Sequence, residues 1–200
     1  MICCVLLASG FGRRFGSNKL LYEVGGKPMA AHALELVKEL SIRTAAGHEI
    51  RAVVVSQYPE IEAQAERMGM HAVHNPDAAE GIAASVRYGT RAAGDAEWIA
   101  FFTADQPDLR ADTVREFLCA AVRSGQPMAS VMSQGEPGSP TLFHQKFRAE
   151  LLGLTGDTGG RKIMKRCPEQ VFWFEIPESE RRDIDERPRP NPVDKSADFG

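Results

Sequence analysis

The sequence predicts an α/β fold: a mostly parallel sheet with helices packed on both of its faces. Three observations carry this. Short β-rich runs alternate along the chain with segments of helical period, as successive strand–helix crossovers require. Several of those runs are apolar on every residue, as strands covered on both faces must be. The segments between them carry one apolar stripe each, so each has a face to bury.

Strands are expected at Cys3 to Leu7, Ala52 to Val55, Met70 to Val73, Trp98 to Phe102, Ala129 to Met132 and Val171 to Ile176. Between them, Met29, Ala33, Leu36, Val37 and Leu40 recur close to every third or fourth residue, and Val114, Phe117, Leu118, Ala121 and Val122 do the same. Both series predict amphipathic helices. Pro28 suits the first turn of the earlier helix, and Thr113 with Glu116 offers a capping box for the later one. Gly and Pro crowd Ser133 to Pro140, which reads as a loop. From Glu178 onward the chain is charged and rich in proline, so it is expected to be extended or partly disordered, with residues 186–200 an atypical tail. No linker divides the 200 residues, which predicts one domain.

The composition excludes several classes of function. Apolar residues at 43% and charged residues at 26% are those of an ordinary globular domain, not of a disordered chain. Twenty-four Lys and Arg stand against 27 Asp and Glu, a net charge of -3, so there is no surplus of cations for a nucleic-acid backbone. No apolar run reaches the length of a membrane span, and the first residues lack the pattern of a signal peptide. A cytoplasmic protein with no nucleic-acid or membrane partner is expected. Cys3, Cys4, Cys119 and Cys167 sit in apolar segments without C-x-x-C spacing, and read as reduced core thiols. His71 and His74 are close, but no Cys or carboxylate stands beside them at metal-ligand spacing.

The chemistry concentrates where strands end. The first strand runs into Leu7-Ala8-Ser9-Gly10-Phe11-Gly12-Arg13-Arg14-Phe15-Gly16-Ser17-Asn18-Lys19. Its glycines permit a tight turn with N–H groups close to an anion, and Arg13, Arg14 and Lys19 add charge matched to phosphate oxygens. The spacing is neither that of the dinucleotide-binding fingerprint nor that of the P-loop. A polyphosphate is the expected ligand. The strand ending at Phe102 leads to Thr103-Ala104-Asp105-Gln106-Pro107. In an open α/β sheet this end faces the ligand crevice, so Asp105 could hold a magnesium ion beside the triphosphate; it could equally be a turn or capping aspartate. Gly81 and Ser85 precede or open a helical stretch whose free N–H groups would suit an anion or a base edge. Pro140 closes the Gly- and Pro-rich loop. Asp157, with Arg161 as an anion contact, opens the last helix, where capping alone would explain the aspartate.

In order, these motifs resemble the molybdopterin nucleotidyltransferases, in particular the molybdenum cofactor cytidylyltransferase family, whose pattern begins L-A-A-G-x-S-x-R-M-G-x-x-K. Its later landmarks recur at Asn75 to Ser85, Asp105 to Pro107, Gly135 to Phe143 and Gly156 to Arg161. The resemblance implies a Rossmann-like three-layer nucleotidyltransferase fold that uses CTP (or another NTP) and Mg2+. It would move CMP to the phosphate of a molybdopterin acceptor, release pyrophosphate, and serve a molybdenum hydroxylase partner. Arg14, Lys19 and Asp105 are then the catalytic group. Leu7, Ala8, Ser9, Gly10, Gly12, Arg13, Gly16, Gly81 and Ser85 contact nucleotide, and Gln106, Pro140, Asp157 and Arg161 line the acceptor side. No general base is implied, because the attacking phosphate is already anionic.

The chain departs from the pattern in places. Ser9, Gly12 and Phe15 replace Ala, Ser and Met. Guanylyl-transferring relatives show A-G-G there, so Ser9 points toward a pyrimidine. The family's C-terminal D-I-D-T-P-E-D-L is split: Asp183-Ile184-Asp185 precedes Glu186-Arg187-Pro188, while Val193 to Phe199 resembles the second half. The second metal ligand is therefore Asp185 or, alternatively, Asp194, and the family's final helix has no evident counterpart.

Overall fold

A computed structural model describes residues 1–10 and 18–181. In chain order the strands and α-helices among them are β1 (Ile2–Ala8), β2 (Glu23–Val24), β3 (Lys27–Pro28), α1 (Met29–Ser41), β4 (Thr44–Ala45), β5 (His48–Ser56), α2 (Pro59–Arg67), β6 (His71–His74), α3 (Ile82–Ala92), β7 (Trp98–Thr103), α4 (Ala111–Arg123), β8 (Met128–Ser133), β9 (Glu136–His144), α5 (Arg148–Leu152), α6 (Arg161–Arg166), β10 (Val171–Glu175) and α7 (Glu178–Arg181).

The all-apolar strand β1 lies in the middle of the main sheet, whose order is β10-β8-β9-β7-β1-β5 with β4 and β6 on the far edge of β5. Pairing is parallel for β1 with β5 and β7, for β5 with β6 and for β8 with β10; β9 runs antiparallel to both its neighbours. Alternate residues of β1 feed two cores. Ile2, Cys4, Leu6 and Ala8 pack with Leu34 and Leu40 of α1, Ile61 of α2 and Phe117 of α4, while Cys3 and Val5 pack with Val86 of α3, Leu151 of α5 and Ile163 of α6. The predicted α/β architecture with two helix layers is therefore the one observed. From β1 the chain builds outward through β5 and β6, then returns through α3 to β7 on the other side of β1. A crevice opens at the carboxyl ends where the direction of building reverses, here between β1 and β7.

Four local expectations are corrected. Ser133 to Pro140 is no loop: β8 and β9 form a hairpin whose turn is only Gln134-Gly135, with φ of 54° and 78°. Two successive positive φ angles give the primed turn that matches strand twist. Pro137 and Pro140 are tolerated because β7 pairs with β9 only from Thr141 onward, so the proline stretch is bonded on one side. Thr113 does not form a capping box with Glu116. Its hydroxyl donates to Glu180 Oε1 at 3.0 Å, and Glu180 Oε2 accepts the Arg110 N–H at 3.1 Å, so a buried carboxylate from α7 caps α4. Glu178–Arg181 is accordingly helical and docked, where an extended tail was expected; residues 186–200 lie outside the described residues. Pro28 stands just before α1 and ends β3, outside the first helical turn. Of the four thiols, Cys3 and Cys4 are buried and Cys119 and Cys167 half-buried, all of them free. No helix among the described residues is long and apolar enough to cross a membrane.

Candidate active site

Two residues 86 positions apart meet in the crevice: Lys19 Nζ donates to Asp105 Oδ2 at 2.9 Å. Lys19 opens a 3₁₀ turn, Lys19–Leu21, held by the Asn18 carboxamide oxygen, which accepts the Leu20 N–H at 3.1 Å, and by the buried Leu20 side chain. Asp105 follows β7 by two residues. The two side chains are only 12% and 21% exposed, so water screens the pair less than it would a surface bridge. The other oxygen of Asp105, Oδ1, is buried without a hydrogen-bond partner among the described residues. A carboxylate with one oxygen neutralised and one unmet is short of a cation or a donor.

The start of the glycine-rich turn is held from the opposite side. The Ser56 hydroxyl donates to the Ala8 carbonyl at 2.9 Å, Gln57 Nε2 to the Ser9 carbonyl at 2.7 Å and Tyr58 Oη to the Gly10 carbonyl at 2.9 Å. Burial raises the Tyr58 phenol above its ordinary value, so it stays a protonated donor. The Ser9 side chain is engaged in the interior. Its hydroxyl donates to the Val55 carbonyl at 3.2 Å and accepts from Asn75 Nδ2 at 3.3 Å. Asn75, fully buried, also donates to the Ser85 hydroxyl at 2.9 Å. Ser9 and Ser85, expected on the nucleotide, thus bind each other through Asn75 and tie the β1 end to α3. Because Ser9 is only 5% exposed and turned inward, its bulk does not select a pyrimidine.

Gly81 and the 156–161 segment, read separately in the sequence, are in backbone contact. Ala83 donates its N–H to the Gly156 carbonyl at 3.2 Å, so one of the donors expected to await an anion at the start of α3 is already taken. Arg87 reinforces the joint by donating to the Leu154 carbonyl at 2.9 Å. Asp157 is not the cap of α6, which begins at Arg161 with Gly160 before it and no side-chain cap. Asp157 and Arg161 instead border a cavity of about 400 Å³.

That cavity joins the predicted groups. Leu7, Ile82, Val86 and Phe101 form an apolar wall, and Thr103, Asp105, Gln106, Ser139, Thr141, Asp157 and Arg161 supply polar atoms. Gln106 is 4% exposed and its Oε1 has no partner among the described residues. Pro140 is buried in β9 and is not part of the lining; its neighbours Ser139 and Thr141 are. Ser139 is fixed by the Thr103 N–H, which donates to its hydroxyl at 3.2 Å. Gly12, Arg13, Arg14, Gly16, Asp185 and Asp194 lie outside the described residues. Ser56, Gln57, Tyr58 and Glu180 are not among the residues expected from the sequence, and Asn75 is expected there only as a landmark of the family pattern.

The Asp105 carboxylate is a hard oxygen donor of the kind magnesium takes. Among the described residues no group of three or more His, Cys, Asp or Glu side chains could chelate an ion unaided. An ion at Asp105 would complete its shell with phosphate oxygens and water, which is how magnesium is commonly held.

Residues 4–171 match the family model described as the MobA-like NTP transferase domain. The chain belongs to that family. This makes it a nucleotidyltransferase. A MobA-like domain of this kind has both sequence and structural relatives. The chain is 28% identical over 177 residues to the 2-C-methyl-D-erythritol 4-phosphate cytidylyltransferase of Citrobacter koseri, covering 83% of this chain and 74% of that enzyme. Its fold superposes on Rv0371c of Mycobacterium tuberculosis with a TM-score of 0.74 at 22% identity, covering 92% of each chain. A nucleotidyl transferase from Methanothermobacter gives 0.72 at 22% identity, over 93% of this chain and 92% of that one. These likenesses support the expected nucleotidyltransferase fold.

Proposed function

We propose that this MobA-like transferase moves CMP from CTP to the phosphate of molybdopterin, releasing pyrophosphate. A phosphate oxygen of the acceptor attacks the α-phosphorus, and the bond from that phosphorus to the β-phosphate oxygen breaks. The carrying observation is the Asp105 carboxylate, paired to Lys19 through one oxygen and unmet at the other among the described residues, at the edge of a cavity with an apolar wall. Lys19 would pass its charge to the triphosphate. A magnesium ion on Asp105 would neutralise charge developing on the departing pyrophosphate. The rest is positioning: reactants held in line gain most of the advantage that such a displacement needs. The cavity supports a flat acceptor, since Leu7, Ile82, Val86 and Phe101 offer area to a ring system while the Gln106 Oε1 asks for an N–H donor. CTP over GTP is supported by the cytidylyl-transferring relative, since the Ser9 side chain no longer bears on that choice. The same relative motivates a second reading, in which the acceptor is a phosphorylated polyol.

The deciding experiment incubates the protein with magnesium, each of the four NTPs, and either molybdopterin or 2-C-methyl-D-erythritol 4-phosphate, with products separated by chromatography. A cytosine dinucleotide of molybdopterin is expected. A cytidine diphosphate product of the polyol alone would install the second reading, and no product from any pair would overturn both.

A further inference from the structure

We infer that Ser56, Gln57 and Tyr58, the three residues that leave β5, are positioning residues that aim the start of the triphosphate loop. The inference rests on the reading of Gly10 and the residues after it as that loop. Three consecutive side chains donate to three consecutive carbonyls: Ser56 to Ala8, Gln57 to Ser9 and Tyr58 to Gly10, at 2.9, 2.7 and 2.9 Å. In a trans peptide the carbonyl and the N–H point in opposite directions. Drawing the Ser9 carbonyl toward the β5 side therefore sends the Gly10 N–H away from β5, the direction in which β7 and Asp105 lie. Gly10 would otherwise be free to sample many backbone conformations, and that freedom would have to be given up on binding. The clamp restricts that freedom before the ligand arrives.

The clamp is itself braced. The Ser56 hydroxyl is buried and, while donating to Ala8, accepts the Tyr58 N–H at 3.1 Å, which fixes the turn carrying the other two donors. Tyr58 rests its ring against the core on the α1 side. Gln57 and Tyr58 are only half-buried, so their loss removes the two outer bonds while the Ser56 link to β1 remains.

The test uses the full chain with Gln57→Leu, Tyr58→Phe and the double variant. Calorimetry measures binding of magnesium tripolyphosphate and of magnesium CTP, steady-state kinetics gives separate KM values for nucleotide and acceptor, and thermal melting monitors the fold. The double variant should bind tripolyphosphate and CTP about tenfold more weakly, equivalent to ~1.4 kcal/mol. Nucleotide KM should rise in step while acceptor KM stays at the wild-type value. Equal tripolyphosphate affinity in wild type and double variant would overturn the inference. So would a joint rise of both KM values that tracks a fall in melting temperature, since that marks a merely structural role. A wild type that binds neither tripolyphosphate nor CTP would instead overturn the reading of the loop itself.

Discussion

Replacing Gly81 with Ala tests whether the joint between α3 and the 156–161 segment is as close as the geometry demands. Gly81 has φ 103° and ψ -175°, a conformation essentially restricted to glycine. Forcing an L side chain to hold such a region costs about 1–3 kcal/mol. The new Cβ would also lie 2.7 Å from the Gly156 carbonyl oxygen, 2.8 Å from its carbon and 2.9 Å from the Asp157 nitrogen. All three are backbone atoms, so no side-chain rotation relieves the contact. The segment must retreat, and the Ala83 N–H loses the Gly156 carbonyl at 3.2 Å, worth about 1 kcal/mol more. The sum is about 2–4 kcal/mol, a sizeable part of the stability of an ordinary domain. Urea denaturation should show it as a midpoint lowered by about 1–2 M, using a typical slope of about 2 kcal/mol/M. Because Asp157 borders the cavity, KM for the acceptor should rise as well. A midpoint equal to that of the wild type would show that the two backbones do not meet as described.

The other expectations concern the site and the core. Lys19→Ala should weaken triphosphate binding tenfold or more, since a charge-assisted hydrogen bond contributes about 1.5–3 kcal/mol, and unchanged CTP affinity by calorimetry would remove Lys19 from the site. Asp105→Ala should abolish turnover in the product assay while circular dichroism stays native; a wild-type rate would exclude the carboxylate from the chemistry. Glu180→Ala leaves the Arg110 N–H and Thr113 hydroxyl without their acceptor and should cost about 1–3 kcal/mol in urea melts, with Glu180→Gln costing less because it keeps an acceptor. Equal losses in the two variants would refute the capping role. Burial pushes the Cys3 and Cys4 thiols up, Cys4 most strongly, so iodoacetamide at pH 8 should spare both until the protein unfolds. These groups favour the fold while both states are protonated. Their contribution is lost as pH rises above about 8.5, where the unfolded thiols ionise and the folded ones do not. Early alkylation of Cys4 in the native protein would contradict this.

The sheet was legible where a strand's environment is uniform along its length. Strands β1, β5, β7 and β8 are covered on both faces, so their apolar runs stand out, and α1 and α4 each bury one stripe that recurs with the helical period. The first half of strand β9 was hidden because two prolines fall in the part that only β8 pairs, and a proline there reads as a break until the pairing partner is known. The cap on α4 was hidden for a related reason. The pattern Thr113-Glu116 is a local signal, but the acceptor came from Glu180, 67 residues beyond Thr113, and the sequence carries no mark of that distance.

The candidate site divides along the same line. Charges and glycines at strand ends could be read, because the topology of a doubly wound sheet sends the ends of β1 and β7 to one crevice whatever lies between them, and Lys19 and Asp105 do meet there. Orientation could not be read. Ser9 and Ser85 stand at strand and helix ends that face the crevice, yet their hydroxyls turn inward to Asn75, because a fully buried carboxamide must find partners and these two lie within its reach. The converse holds for Gln57 and Tyr58. Nothing in their spacing marks them, since a side chain that donates to another segment's carbonyl leaves no periodic trace. Their importance, under the proposed function, follows from the Ser9 and Gly10 carbonyls they hold, which fix the backbone at the end of β1 from outside that segment. That support comes from the end of the strand alongside, β5.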